Sequence, residues 1–291
     1  MKFGQVVLIV CISIVAAVGS STYIVKHQSG AEQQTAHESA YERVLRTGTL
    51  RCGYADFPPH LFIKDPNTGK FSGIFVDVMD AVAGKLNLKV EWTENTGWAG
   101  LVESLRTHRV DAFCAGKWRD AARGRYIAYG APLFYMAVYP YVRANDHRFD
   151  HDLSLVDEPK VKISALDGEM SDLIAKQHFP KAQEVAVPQM GQMTDIFTNV
   201  IDKKADIVFN DSSIAAEFIK ANPGKLRPAQ ANPYQVFPTS LAVDVHEQQL
   251  LAVLDSALSE MQNTGAIDEI ISKYSMDPTV FLHVAKPYQS Q

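Results

Sequence analysis

From Thr49 onward the apolar positions switch repeatedly between two periods, and the switching predicts the architecture. "TLRCGYA" (49–55) reads as a strand, "IFVDVMDAVAGKLN" (74–87) has helical spacing, "LKVEWTE" (88–94) is a strand, "WAGLVESLRTHR" (98–109) a helix, and "VDAFCAG" (110–116) a strand again. Strand, helix, strand, helix, strand is the order of parallel βαβ units joined by right-handed crossovers. The order recurs in "VKISALDG" (161–168), "MSDLIAKQHF" (170–179), "EVAVP" (184–188), "GQMTDIFTNVIDKK" (191–204) and "ADIVFND" (205–211), without a simple sequence repeat. The last long apolar pattern, 247–274, predicts two amphipathic helices parted at Asn263-Thr264-Gly265. The expected fold is α/β with two lobes, each a mostly parallel sheet flanked by helices, facing each other across a cleft.

Composition narrows the function. At 291 residues and 46% hydrophobic, the chain is long enough for two compact lobes. A formal charge of −5 with no long Lys/Arg cluster argues against a nucleic-acid surface, which needs basic side chains to replace the counterions around phosphates. The N-terminus carries a destination: Lys2 precedes "VVLIVCISIVAAV", and the small residues Gly19, Ser20 and Ser21 follow, in the three-part layout of a secretory signal. Cleavage near Ser20 is expected. An uncleaved anchor is the alternative, because apolar character resumes at Tyr23-Ile24-Val25 and the span approaches the ~20 residues that cross a bilayer. Residues 1–25 are read as signal or anchor, and 26–42, with the polar "HQSGAEQQTAHESA", as a tether.

Of the three cysteines, Cys11 belongs to the N-terminal apolar run, and "LIVC" lacks the small residues of a lipoprotein site. Cys52 and Cys114 each sit in a strand-like run and are read as small buried hydrophobes; neighbouring strands in an oxidising compartment would be needed to join them. The nine histidines are scattered without the close pairing a zinc helix needs, and "NPGK" lacks the full phosphate-loop spacing. No cofactor or metal is expected.

In open parallel sheets, ligands gather beyond the carboxyl ends of the strands. Those positions here are Ala55 to Pro59, Ala115 to Arg123, Asp167 to Asp172 and Asn210 to Ser213. Phe57-Pro58-Pro59 follows the first strand. One reading is a packed loop, since proline fixes φ and aromatics fill cores. The other places a rigid aromatic at the cleft mouth, where it covers a ligand at little entropic cost.

The chain resembles the periplasmic solute-binding proteins of polar amino-acid ABC transporters, from about Val44 to Tyr274. The resemblance is carried by "RTGTLRCGYADFPPHLFIKD", "GKFSGIFVDVMDAVAGKLNL", "WAGLVESLRTHRVDAFCAG", "RYIAYGAPLFY", "KKADIVFNDSSIAAEFI" and "LLAVLDSALSEMQNTGAIDEIISKY", in this order and spacing. It implies a bilobal fold with two hinge crossovers, lobe 1 from residues 43–140 plus 244–291 and lobe 2 from 141–243. It also implies a monomer that traps a small carboxylate-bearing solute by hinge closure, in the periplasm, and hands it to a membrane permease. Matched position by position, Arg123 falls where such proteins grip the ligand's carboxylate, with Arg119 and Arg125 as rivals, and a guanidinium fork suits two carboxylate oxygens. Asp211 matches the acceptor of the ligand's ammonium, though it also suits a helix N-cap before "SSIAAEFI". Phe57 matches an aromatic lid, while Trp98 is read as packing the helix it begins.

Departures from the family pattern bear on the ligand. Gly116 and Trp118 stand where Ser or Thr is usual, Asp120 replaces the threonine before the arginine, and Gly168-Glu169-Met170 replaces Gly-Thr-Thr. Gly73-Ile74-Phe75 stands where relatives tend to have Gly-Phe-Asp. Hydroxyl donors are therefore missing, and Trp118 with Phe57 is expected to hold an apolar or planar part of a carboxylate-bearing ligand, an amino acid or a related compound; the rival reading has Trp118 pointing outward or packing on the loop, which leaves an ordinary amino-acid site. The ligand-binding set is thus Phe57, Gly116, Trp118, Arg123, Glu169, Met170 and Asp211. Two other functions stay open: an enzyme of the prephenate-type dehydratase kind on the same scaffold, with Glu169 or Asp120 as an acid, and a ligand-sensing subunit for a separate membrane receptor. Loop carboxylates are more often solvated or capping than catalytic, so a non-enzyme is expected.

Overall fold

Two long antiparallel strands that the periodicity did not single out join the halves of the molecule. The computed structural model describes residues 38–275 and 280–284, so the signal-like run and most of the tether lie outside the described residues. Helix α1 (Ala40–Thr47) opens the described chain, inside the stretch read as tether, and its first amides, of Ala40 and Tyr41, donate to the Glu247 carboxylate at 2.7 and 3.2 Å.

The first half holds β1 (Thr49–Tyr54), the hairpin β2 (Phe62–Asp65) and β3 (Lys70–Ser72), α2 (Ile74–Leu86), β4 (Lys89–Asn95), α3 (Leu101–Arg106), β5 (Ala112–Trp118) and β6 (Ile127–Tyr129). Then β7 (Phe134–Arg143) leads to β8 (Lys162–Leu166), α4 (Met170–His178), β9 (Gln183–Val187), α5 (Asp195–Ile201), β10 (Ile207–Asp211), α6 (Ser212–Ala221) and β11 (Leu226–Pro228). β12 (Gln235–Asp244) returns the chain to α7 (Gln248–Asn263), α8 (Ala266–Ser272) and β13 (Phe281–Leu282).

The main sheet runs β4-β1-β5-β12-β7-β10-β8-β9. β4, β1 and β5 are mutually parallel, as are β10, β8 and β9, which is what the two strand–helix runs predict. The middle differs. β12 is antiparallel to β5 and to β7, and β7 is antiparallel to β10. Each long strand changes partner midway: β7 pairs β12 over Phe134–Val138 and β10 over Val138–Val142, while β12 leaves β7 at Thr239 and continues beside β5 and β6. One ladder therefore serves both lobes.

The helices bury the faces their spacing predicts. In α2, Ile74, Phe75, Val78, Met79, Val82 and Ala83 face the core, each large side chain contributing ~1.5–3 kcal/mol on removal from water. Gly73 precedes it at φ 129°, where a Cβ would lie 2.5 Å from the backbone oxygen of His60, so only glycine lets the 57–61 loop close onto this helix. In α7, Leu250, Leu251, Leu254, Ala257, Leu258 and Met261 form the buried stripe, and Gly265 at φ 80° makes the break before α8.

Cys52 and Cys114 are joined in a disulfide rather than standing as two buried thiols. The reason is tertiary: β1 and β5 are adjacent parallel strands, which brings the two Cα atoms to 5.5 Å, within reach of a bridge. With the cysteines 62 positions apart, the closed loop restricts the unfolded chain by about 4 kcal/mol. The Cys52→Ala/Cys114→Ala variant should lose roughly that much unfolding free energy in urea titrations; an unchanged midpoint would show that the bridge does not form in the protein.

Candidate functional site

At the carboxyl ends of the strands the two halves enclose a small cavity, which offers about 40 Å³ to the centre of a water molecule. Phe57 and His60 reach it from the loop after β1, Trp98 from the loop after β4, Gly116, Lys117 and Trp118 from β5, and Met136 and Thr239 from β7 and β12. From the other half come Glu169, Met170 and Ser171 at the start of α4, Met193 before α5, Asn210 and Asp211 at the end of β10, and Ile214 on α6. Six of the seven residues singled out in the sequence line it. Arg123 does not.

The 57–61 turn is held by its own backbone: the Phe57 amide donates to the Leu61 carbonyl at 2.8 Å, and the His60 amide to the Phe57 carbonyl at 3.0 Å. This stacks the Phe57 ring on His60, with centroids 4.5 Å apart, and sets its edge against Trp98 at 4.9 Å. The aromatic that meets Phe57 is therefore Trp98, which lines the cavity instead of only packing a helix; Trp118 meets Phe237 at 5.7 Å.

β5 ends in a bulge. Its register with β12 slips between Ser240 and Ala242, opposite Gly116, whose φ is 78°. A Cβ there would fall 1.9 Å from the Phe75 ring and 2.7 Å from the Thr239 methyl, so the position admits glycine alone. Bulges re-aim the side chains beside them. Here the next residues, Lys117 and Trp118, enter the cavity lining.

Their partner is Glu169 of the opposite half. Its Oε2 accepts from Lys117 Nζ at 2.5 Å and Trp118 Nε1 at 2.9 Å, and its Oε1 from Arg123 Nη2 at 2.9 Å. Arg123 Nη1 donates to Asp120 Oδ2 at 2.9 Å and to the Gly168 carbonyl at 3.4 Å, and Tyr129 donates its hydroxyl to the same Asp120 oxygen at 3.1 Å. The guanidinium expected to hold a ligand carboxylate is engaged by two carboxylates of the chain. Of its rivals, Arg119 donates to the Gly130 carbonyl and Arg125 lies against Tyr126, so Arg123 is the arginine that bridges the halves. Lys117 is wholly buried, with its ammonium 5.0 and 4.6 Å from the ring centres of Trp98 and Trp118. Burial pulls its pKa down to about 8, against the pull of Glu169.

A second chain of contacts runs from Asp211 to His60. Asp211 caps α6, its Oδ1 accepting from the amides of Ser213 and Ile214 at 3.0 and 3.1 Å and from the Ser213 hydroxyl at 2.5 Å; desolvation pushes its pKa up. Since Ser213 gives its proton to Asp211, His60 Nε2, 2.7 Å away, is the donor to Ser213, and His60 Nδ1 is left a bare acceptor. His60 Nδ1, Asn210 Nδ2 and Thr239 Oγ1 are buried atoms of lining residues without a hydrogen-bond partner among the described residues. Lys117, His60, Asn210 and Thr239 were missed in the sequence, as was Trp98 as a lining residue. The first four follow or face strand ends but match no family motif, and only their proximity to Gly116 and Asp211 marked them. Among the described residues, no cluster of three or more His, Cys, Asp and Glu side chains is placed to hold a metal ion.

These features define a two-lobed α/β solute-binding architecture. The model of the bacterial extracellular solute-binding proteins, family 3, matches residues 50–277, and the chain belongs to that family. It is 23% identical over 239 residues to the probable amino-acid ABC transporter-binding protein of Haemophilus influenzae, covering 79% of this chain and 85% of that protein. The crystal structure of an ancestral amino acid-binding protein, a precursor of cyclohexadienyl dehydratase, superposes with a TM-score of 0.70 at 25% identity, over 81% of this chain and 99% of that one. The periplasmic VFT2 domain of Bordetella pertussis BvgS gives 0.69 at 18% identity, over 81% and 97%, a likeness of fold alone.

His60 links the site to pH. Burial lowers its pKa to about 3 from an ordinary value near 6.5, so the folded state stays neutral where the unfolded state takes a proton. Stability present above pH 6.5 is lost as the pH falls toward 3, by about 2 kcal/mol between pH 7 and 5 from this group. In urea unfolding, the His60→Phe variant, which keeps an aromatic beside Phe57, should lose about 2 kcal/mol less than the wild type over that interval. Equal losses would mean that His60 is solvated.

Proposed function

We propose that the protein is an extracytoplasmic, monomeric solute-binding protein without catalytic activity, which captures a small solute between its lobes in the periplasm and delivers it to an ABC-transporter permease. The observation that carries this reading is the cavity itself. It is built from both halves of the sheet and lined by aromatic and methionine side chains, and its lining residues carry buried polar atoms that lack partners among the described residues. Membership of an extracellular solute-binding family and a relative named as an ABC transporter-binding protein support the transport role. Closure fits the topology, because β7 and β12 pass between the halves as paired strands about which rigid lobes can turn. In this reading, lobe 1 comprises residues 43–140 and 244–291 and lobe 2 residues 141–243, and a cleaved signal delivers the chain.

The site offers little to a dehydratase. Glu169 accepts from Lys117, Trp118 and Arg123, and Asp120 from Arg123 and Tyr129, so neither carboxylate is arranged to donate a proton. A ligand carboxylate, as expected from the resemblance, would reach Arg123 only by displacing Glu169.

A solute that binds the folded state alone raises the melting temperature, by an amount equivalent to about 2.7 kcal/mol at a hundred times its dissociation constant. A thermal-shift screen of amino acids, carboxylic acids, amides and small alcohols should find at least one stabilising solute, and loss of the gene should reduce its uptake. Met193→Trp, which adds bulk to the cavity from a loop, should weaken that binding at least tenfold. A screen with no stabilising solute would sink the solute-binding reading, and normal uptake in the absence of the gene would sink delivery.

A further inference from the structure

A free amino acid brings an ammonium and a carboxylate, and this cavity already contains one of each from the chain. The Lys117 ammonium lies against the faces of Trp98 and Trp118 and bonds Glu169; the Glu169 carboxylate is in turn held by Trp118 and Arg123. Every strong charge-to-charge contact is made inside the protein. Among the described residues, the buried polar atoms of the lining side chains that lack a hydrogen-bond partner are uncharged: His60 Nδ1, an acceptor; Asn210 Nδ2, a donor whose own Oδ1 accepts the Asp211 amide at 2.8 Å; and Thr239 Oγ1, which can do either. Phe57, Met136, Met170 and Ile214 supply apolar surface around them.

An incoming carboxylate would have to share this buried space with Glu169, and an incoming ammonium with Lys117, where like charges are poorly screened. Asp211 is the remaining carboxylate of the lining; its Oδ1 accepts from three donors, and although no hydrogen bond among the described residues holds its Oδ2, burial favours the neutral form and so weakens it as a counter-ion for an ammonium. Buried ion pairs add little net stability, because desolvation offsets attraction, and a role in selectivity accounts for one placed inside a ligand cavity. We infer that Lys117 and Glu169 are the specificity-determining pair of this site: by supplying from the chain the two charges a zwitterion would bring, they make the cavity select a small uncharged solute with adjacent donor and acceptor, of the carboxamide type, over amino acids and carboxylates. The inference rests on the solute-binding reading above.

Calorimetric titration with isosteres that differ in charge tests it. Butanamide and butanoate form one pair and benzamide and benzoate another, with L-valine, L-lysine and butylamine as charged competitors. The wild type should bind an amide at least tenfold more tightly than its carboxylate and should reject the amino acids and the amine. The variant Lys117→Met/Glu169→Gln removes both charges together, so neither is left unpaired, and circular dichroism melting checks its fold. In it, the ratio should move at least tenfold toward the carboxylate, because Arg123 has lost one of its two carboxylate partners and the lining its negative charge at position 169. Should the variant fail to fold, the wild-type ratios decide alone. Binding of butanoate, benzoate, butylamine or an amino acid by the wild type as tightly as the amides, an unchanged ratio in a folded variant, or no binding of either amide would overturn the inference. If the wild type takes an amino acid, the solute-binding reading stands and the ion-pair inference falls; if it takes no solute in this panel or the broader screen, both fall.

Discussion

The backbone ladder between β7 and β12 is the constraint on which the rest of the molecule depends. A β-ladder fixes register to the residue, and here the two strands that share it each continue into a different half of the sheet. Because β7 carries β10 and β12 carries β5, the ends of β5 and β10 are set facing one another, and the loops that follow them meet. Met136 and Thr239, on the ladder strands themselves, line the cavity that results. Without this shared ladder the two βαβ runs would be separate domains with no defined space between them.

Across that space the closest contacts are ionic. Glu169 stands at the N-terminus of α4, where the helix dipole favours a negative charge, and it takes three donors from the other half. These three contacts tie the halves together, and one of them engages the arginine that the family resemblance assigns to a ligand. A threonine in place of Glu169 would leave Arg123 and Lys117 facing an uncharged hydroxyl, and the site would present cations. With glutamate there, the site is internally neutralised and its remaining polarity lies with His60, Asn210 and Thr239. A single residue type at one helix start thus changes the charge that the cavity lining presents.

The βαβ order of both halves, the helical stripes of α2 and α7, and the break at Gly265 were legible in the sequence, since each is a local matter of period and turn residue. So was the cleft's location, because ligands collect beyond parallel strand ends whatever the fold's details. β7 and β12 were not legible: "FYMAVYPYVR" and "QVFPTSLAVD" carry no clean alternation, as both strands pass through the centre of the sheet and are buried over most of their length. The disulfide was equally hidden, for a bridge needs adjacency of two strands, and adjacency is not written in either strand.

The site divides in the same way. Phe57, Gly116, Trp118, Glu169, Met170 and Asp211 could be named because each lies at or just past the carboxyl end of a strand, and position along the chain puts such residues at the cleft. Which of them touch could not, because the partners of Glu169 lie 46 to 52 positions away, and those of His60 lie across the fold at Ser213. By itself the sequence determined the elements, their order and the candidate positions, all of which depend on neighbours within a few residues. Only the tertiary structure decided that Arg123 is engaged, that Lys117 is buried and that Trp98 is a wall of the cavity, because charge pairing and burial are properties of long-range contacts.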